Sequence, residues 1–219
     1  MDQKKKVIKN PIHFQLELNK EQSDAKEQIL RNKITVLQGQ AGSGKSMLAA
    51  QIALDLLFRK EVDRIVLTRP TTTAGEEIGF MPGNIDAKLA PYTAAIYDNM
   101  YRLYNRDKID SLLHEGKIEV IPLAFMRGRN MTDCIVVVDE AQNVTDKQME
   151  LMLGRLCKGS KMILCGDITQ CDLKDRKHSG FEFITDNLRD IEGFKVITLL
   201  QNHRDPIVEQ ILEVYANRK

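Results

Sequence analysis

The sequence predicts an α/β fold, a mostly parallel sheet with helices on both faces. Three observations carry that expectation. Short β-branched runs alternate with stretches of helical apolar period along most of the 219 residues, a pattern that builds parallel sheets through crossover helices. The run CIVVVD (134–139) is the most apolar in the chain, as suits a central strand buried on both faces. A glycine-rich stretch, GQAGSGKS (39–46), joins the first such strand to a helical pattern.

The elements follow in order. Residues 1–18 are mixed and partly basic and read as an N-terminal arm, flexible or an edge strand; residues 19–219 read as a single domain. Asn19 and Gln22 have capping-box spacing and open a helix to about Leu30. ITVLQ (34–38) is a strand. Ser46 to Arg59 repeats Leu48, Ile52 and Leu56 at helical spacing. RIVLT (64–68) is a second strand. The stretch RPTTTAGEEIGFMPG (69–83) is a long link of the kind that either works or is disordered. Asn84 to Asn105 is helical with a break at Pro91, and 107–115 is a further short helix. IEVIP (118–122), CIVVVD, KMILC (161–165) and FKVITL (194–199) are strands. Helices are expected at Thr145 to Cys157, with Thr145 as N-cap, at Phe181 to Leu188, and at Pro206 to Tyr215. CDLKDRKHSG (171–180) reads as an exposed loop.

Composition sets bounds. Hydrophobic residues are 42% and charged residues 29%, enough for an ordinary core and a solvated surface. The formal charge of +1 neither supports nor excludes a nucleic-acid partner, so that case rests on local basic clusters. The cysteines, 134, 157, 165 and 171, have neither CxxC nor zinc-ligand spacing; Cys134 and Cys165 read as buried thiols. No apolar run reaches membrane-spanning length and no signal peptide is evident, so a cytoplasmic protein with no membrane contact is expected.

The sharpest motif is GQAGSGKS, which matches GxxxxGK[ST] between a strand and a helix. Gly39, Gly42 and Gly44 let the backbone curl, so that the N–H groups of Gln40, Ala41 and Ser43 and their neighbours can face one phosphate. The following helix adds the positive end of its dipole. Lys45 supplies a point charge for the β- and γ-phosphates, and the Ser46 hydroxyl can ligate Mg²⁺. This is a P-loop NTPase signature. Asp139, ending the apolar strand, would hold the Mg²⁺ hydration shell, and Glu140 beside it could polarise a water for attack on the γ-phosphate. A kinase must exclude that water, so the pair favours hydrolysis. Asp167 and Gln170, in LCGDITQ (164–170), would stand at the same sheet edge, with Gln170 as a γ-phosphate or water sensor.

GQAGSGKS, VVVDEAQN and GDITQ together resemble the P-loop ATPases of helicase superfamily 1. TRPTTTAGEEIGFMPG, LAPYTAAIYD, AFMRGRN, DEAQNVT and GDITQCDL, as a set, resemble the PhoH family of ATPases over roughly residues 15–217. The resemblance implies a RecA-like core and makes Gln22 the adenine-reading glutamine, whose amide both donates and accepts. No [NT]KxD guanine motif is present, which favours ATP over GTP.

Superfamily 1 relatives touch single-stranded nucleic acid with the element equivalent to 69–83. Here Arg69 could bind a phosphate, and Thr71, Thr72 and Thr73 could offer hydroxyls to backbone oxygens. Nucleic-acid contact, subunit contact and disorder all stay open for this stretch. Arg127 and Arg129 suit phosphate recognition, or are tied to a local carboxylate. One ATPase core lacks the second core that supplies an arginine to the transition state. Either Arg204, or Arg127 or Arg129, comes from a neighbouring subunit or hydrolysis is slow, and the resemblance points to a ring, a hexamer. The expected function is ATP- and Mg²⁺-dependent hydrolysis driving a motor or remodeller of single-stranded RNA or DNA. The alternatives are an ATP-gated nuclease and a nucleotide-switched protein scaffold.

Overall fold

A computed structural model of the chain describes residues 12–70, 97–175 and 179–216. The described strands are β1 (Ile34–Gln38), β2 (Arg64–Thr68), β3 (Ile118–Val120), β4 (Cys134–Val138), β5 (Lys161–Gly166) and β6 (Phe194–Thr198). They form one sheet in the order β3-β2-β4-β5-β1-β6, and every described pairing is parallel. The helices are α1 (Lys20–Arg31), α2 (Lys45–Phe58), α3 (residues 97–103), α4 (Arg106–His114), α5 (Asp146–Leu153), α6 (Gly180–Asn187) and α7 (Pro206–Ala216).

Strand residues alternate between two apolar layers, as the pleat requires. Leu37, Ile65, Leu67, Ile135, Val137, Ile163 and Cys165 face a core shared with α1, α2, α3 and α4. Val36, Val66, Val136, Val138, Met162 and Leu164 face the other, with α5 and α6. β4 is buried at all of its residues and lies between β2 and β5, as its unbroken apolar run requires.

The capping box of α1 forms as expected: Gln22 N–H donates to Asn19 Oδ1 at 2.8 Å, and Asn19 N–H to Gln22 Oε1 at 3.2 Å. α2 is buried from Leu48 through Leu57, on every side, because the sheet lies under it and α1 beside it. Its one buried carboxylate, Asp55, takes Lys26 from α1 and Arg59 from the C-cap of its own helix, each at 2.6 Å. Gln51 in the same helix donates to the Leu16 carbonyl at 3.3 Å. Gln15 N–H bonds the Leu103 carbonyl at 3.0 Å, and Phe14 meets the Tyr104 ring edge-on. The described end of the N-terminal arm is thus strapped across α2 and α3 and forms no strand.

Most element ends fall within one or two residues of expectation, and two differences are larger. α5 stops at Leu153 rather than running to Cys157, because residues 155–157 turn back to the chain before β4. Met131 N–H donates to the Arg155 carbonyl and Cys157 N–H to the Met131 carbonyl, both at 2.9 Å. The polar stretch before α6 is not wholly exposed: Ser179 is buried and its hydroxyl donates to the Gln142 carbonyl at 3.2 Å. Most of the helix expected over Asn84 to Asn105, and the link at 71–83, lie outside the described residues. No described helix is long and apolar enough to cross a membrane.

Removing Asp55 would leave two cations without their shared buried partner. Asp55→Ala should lower the unfolding free energy by about 3 kcal/mol, the low end for a broken buried pair because Lys26 and Arg59 can turn to water. Urea unfolding of the variant against wild type measures it.

Candidate active site

Parallel pairing puts the C-terminal ends of β1, β4, β5 and β6 at one edge, and the chemistry-bearing residues leave the sheet there. β1 ends at Gln38 and the chain returns through 39–44 into α2. Gly44 caps α2 in the left-handed region (φ 83°), and Gly42 is also left-handed (φ 94°), where a side chain would be strained. A Cβ on Gly42 would stand 2.6 Å from Asn202 Oδ1 and 2.7 Å from Arg204 Cγ; one on Gly44 would stand 2.9 Å from Gln22 Nε2. Glycine at both positions therefore lets the chain after β6, and the start of α1, close over the loop.

The first-turn N–H groups of a helix have no intrahelical acceptor. Those of α2 open toward a cavity of about 300 Å³, lined by the loop, Ser46, Asn99, Asp139, Glu140, Asp167 and Gln170. The Lys45 ammonium donates to the Gly39 carbonyl at 2.7 Å, the Gln40 carbonyl at 2.9 Å and Ser43 Oγ at 3.4 Å. Burial pulls its pKa below the ordinary lysine value, opposed by the carboxylates of Asp167, Asp139 and Glu140. Cys165 beneath it is fully buried, which pushes its thiol well up and keeps it neutral.

Ser46 and Asp139 meet directly: the hydroxyl donates to Asp139 Oδ1 at 2.6 Å. Two hard oxygens in contact at a cavity mouth suit Mg²⁺, which binds few protein oxygens and fills its shell with water and phosphate. Among the described residues no group of three or more His, Cys, Asp or Glu side chains forms an all-protein metal cage.

Glu140 follows at once, in the left-handed region (φ 52°), and opens a short 3₁₀ turn at 141–143. Its Oε2 accepts from Gln142 Nε2 at 2.6 Å, and its Oε1 lies 3.5 Å from Arg69 Nη2. Gln142 is buried, and its Oε1 accepts the Asp167 N–H at 3.1 Å. Asp167 Oδ2 in turn accepts the Ala41 N–H at 3.0 Å, while its Oδ1 takes Thr169 N–H and hydroxyl. A continuous hydrogen-bonded path thus joins Glu140 to the phosphate loop through Gln142 and Asp167. Neither Gln142 nor Asn99 is among the residues singled out from sequence. The signal for Gln142 is a glutamine two residues after the paired acids that end a buried strand; Asn99 carries none. Gln170 stands exposed at the rim, and its carbonyl accepts from Gln142 at 3.4 Å.

Glu21 Oε1 and Oε2 accept the N–H groups of Leu200 and Gln201 at 2.7 and 3.2 Å. His203 N–H then bonds the Gly42 carbonyl at 3.0 Å. This pins 199–204 over the loop, so that Arg204 lies against Gly42 of its own polypeptide. Arg204, expected to act from a neighbouring subunit, lies beside the loop of its own chain and lines an adjoining pocket with Gln40, Ala41, Asp167 and Gln170. Gln22, whose Oε1 caps α1, turns its Nε2 toward Gly44 and His203 Nε2, the latter at 3.5 Å. Arg127 and Arg129 are not brought here. Arg129 pairs with Glu119 on β3 at 2.7 Å, the local-carboxylate alternative, and Arg127 is exposed in the same loop. Arg69 does join the site; Thr71, Thr72 and Thr73 lie outside the described residues.

The chain is 45% identical over 189 residues to a PhoH-like protein of Synechocystis sp., an alignment covering 85% of this chain and 58% of that relative. It spans about half the length of the curated relatives it matches. Among solved structures it is similar to the large terminase of a thermophilic bacteriophage, with a TM-score of 0.51 at 12% identity over 91% of this chain and 50% of that one. It is likewise similar to the UvsW helicase of bacteriophage T4, with a TM-score of 0.50 at 16% identity over 84% and 60%. At such identities the likeness is one of fold, the α/β core of P-loop ATPases and helicases. The model describing PhoH-like proteins matches residues 16–216, almost the whole sequence, and the chain belongs to that family.

Proposed function

We propose that residues 19–219 form one ATPase unit, with 1–18 as its arm. It binds ATP with Mg²⁺ at the cavity and hydrolyses it to drive movement on, or remodelling of, single-stranded RNA or DNA in the cytoplasm. The observation that carries the reading is the 2.6 Å contact of Ser46 with Asp139, one residue before Glu140, at the open N-terminus of α2.

The backbone N–H groups of 39–46 bind the phosphates, and Lys45 exchanges its carbonyl partners for β- and γ-phosphate oxygens. Ser46 and Asp139 hold Mg²⁺, whose charge offsets that of the β- and γ-phosphates. Glu140, one residue further along, orients a water at the γ-phosphate and accepts its proton. Gln170 senses the γ-phosphate from the rim. Arg204, beside Gly42, meets the charge that develops on the transferred group. Gln22 abuts the end of the loop, where its amide can read an adenine edge.

A ring of copies, six as the sequence resemblance implies, belongs to the same proposal. Its support is α7, which begins two residues after Arg204 and leaves Ile207, Ile211, Leu212, Val214 and Tyr215 more than 40% exposed. So much apolar side chain on one surface helix suits an interface, and a neighbouring copy would cover it.

Three outcomes are expected. Glu140→Gln should still bind ATP, measured by fluorescent-nucleotide titration, while steady-state phosphate release falls by roughly 10²–10⁴-fold; unchanged release removes Glu140 as the base. With Arg204 acting on its own chain, assemblies mixed from Arg204→Ala and Lys45→Ala chains should recover no activity above either parent. Recovery on mixing would assign Arg204 to the neighbour's site. Ile211→Glu, at an exposed position, should leave the unfolding midpoint unchanged and reduce the mass found by light scattering with ATP present; an unchanged mass excludes α7 as the interface.

A further inference from the structure

We propose that Arg69 is a latch on Glu140 that the phosphates of a polynucleotide release, so that hydrolysis waits for the strand. This rests on the ATPase reading above and adds its regulation.

The geometry begins in the sheet. Asp139 N–H donates to the Thr68 carbonyl at 2.9 Å, which zips the end of β4 to the end of β2. Arg69 and Glu140 therefore leave neighbouring strands side by side. Both oxygens of Glu140 are engaged. The Gln142 tie is short, 2.6 Å, and comes from a buried amide that is itself fixed by Asp167. The Arg69 tie is long, 3.5 Å, with both side chains about one-third exposed. Other pairs in the molecule are tighter: Arg129 with Glu119 at 2.7 Å, Lys26 with Asp55 at 2.6 Å. Glu140 is thus held firmly on one side and loosely on the side that faces solvent.

A water molecule attacking phosphate needs a carboxylate lone pair to receive its proton, and a guanidinium on Oε1 competes for that lone pair. Phosphodiester oxygens bind guanidinium in short, paired hydrogen bonds. They would draw Arg69 off the longer, solvent-screened contact and leave Oε1 to the water, while Gln142 keeps the carboxylate aimed. Competition for Arg69 must also run the other way: neutralising Glu140 should free the arginine for the strand.

Two measurements on the full chain test this, each with an oligouridylate and an oligothymidylate to separate RNA from DNA as the source of phosphate. In the first, Arg69→Ala should raise basal MgATP turnover above wild type, and the ratio of strand-stimulated to basal turnover should fall to about 1. In the second, without nucleotide, Glu140→Gln should bind the fluorescent oligomer several-fold more tightly than wild type, and Arg69→Ala more weakly. An unfolding midpoint equal to wild type shows that each variant is folded. Basal turnover of Arg69→Ala at or below wild type, or no tightening in Glu140→Gln, overturns the latch. Wild-type protein that turns over no ATP overturns the ATPase reading instead, and the oligomer measurement still decides the latch.

Discussion

Parallel pairing of β1 with β5, and of β5 with β4, places three strand ends side by side. Everything at the site depends on that adjacency. β1 delivers the phosphate loop, β4 delivers Asp139 and Glu140, and β5 delivers Asp167. The side chains then need only short reaches: Ser46 to Asp139, Gln142 to Asp167, Asp167 to the amide of Ala41. In an antiparallel arrangement alternate strand ends would fall on opposite edges of the sheet, and this constellation could not form. The two apolar layers, with α2 buried along most of its length, hold the strand ends in register.

Electrostatics at the edge are poised rather than neutralised. Lys45 is partly buried among carboxylates and satisfies its ammonium on the loop's own carbonyls and Ser43. A triphosphate offers better acceptors in the same place, so the lysine's resting contacts mark where charge is wanted. Glu140 is likewise held by a neutral amide on one oxygen and a loose cation on the other. As the proposed general base, Glu140 is fixed in direction by Gln142 and restrained by Arg69 only loosely, as a latch that a polynucleotide can release requires.

Much of this is legible in the residues, for identifiable reasons. The loop is readable because its glycines answer steric demands that few other sequences meet, and β4 because five consecutive apolar residues admit only burial on both faces. The other strands are readable as short apolar, β-branched runs, and the pleat then sorts their residues into the two cores. The end of α5 is not readable, because Met131, far away in sequence, captures the backbone of 155–157. The strap at 12–18 is not readable either, since its bonds go to Gln51 and Leu103 rather than to a strand. Arg204 stands out in the sequence as an arginine of interest, but its place does not. That place depends on Glu21 gripping the 200–201 amides, a contact across nearly the whole chain that no local pattern encodes. Gln142 is hidden for a similar reason: its worth lies in a bond to the backbone of Asp167.

If Ser46, Asp139 and Glu140 together cut a nucleoside triphosphate held by the loop, the products must appear in solution and must depend on the metal. Phosphate and ADP released by the purified protein from ATP, with Mg²⁺ and after its removal by EDTA, test this most directly. Stoichiometric ADP and phosphate are expected with Mg²⁺, and their release should stop when the metal is chelated. No release with Mg²⁺, with or without a polynucleotide, or release indifferent to EDTA, would contradict the proposed chemistry.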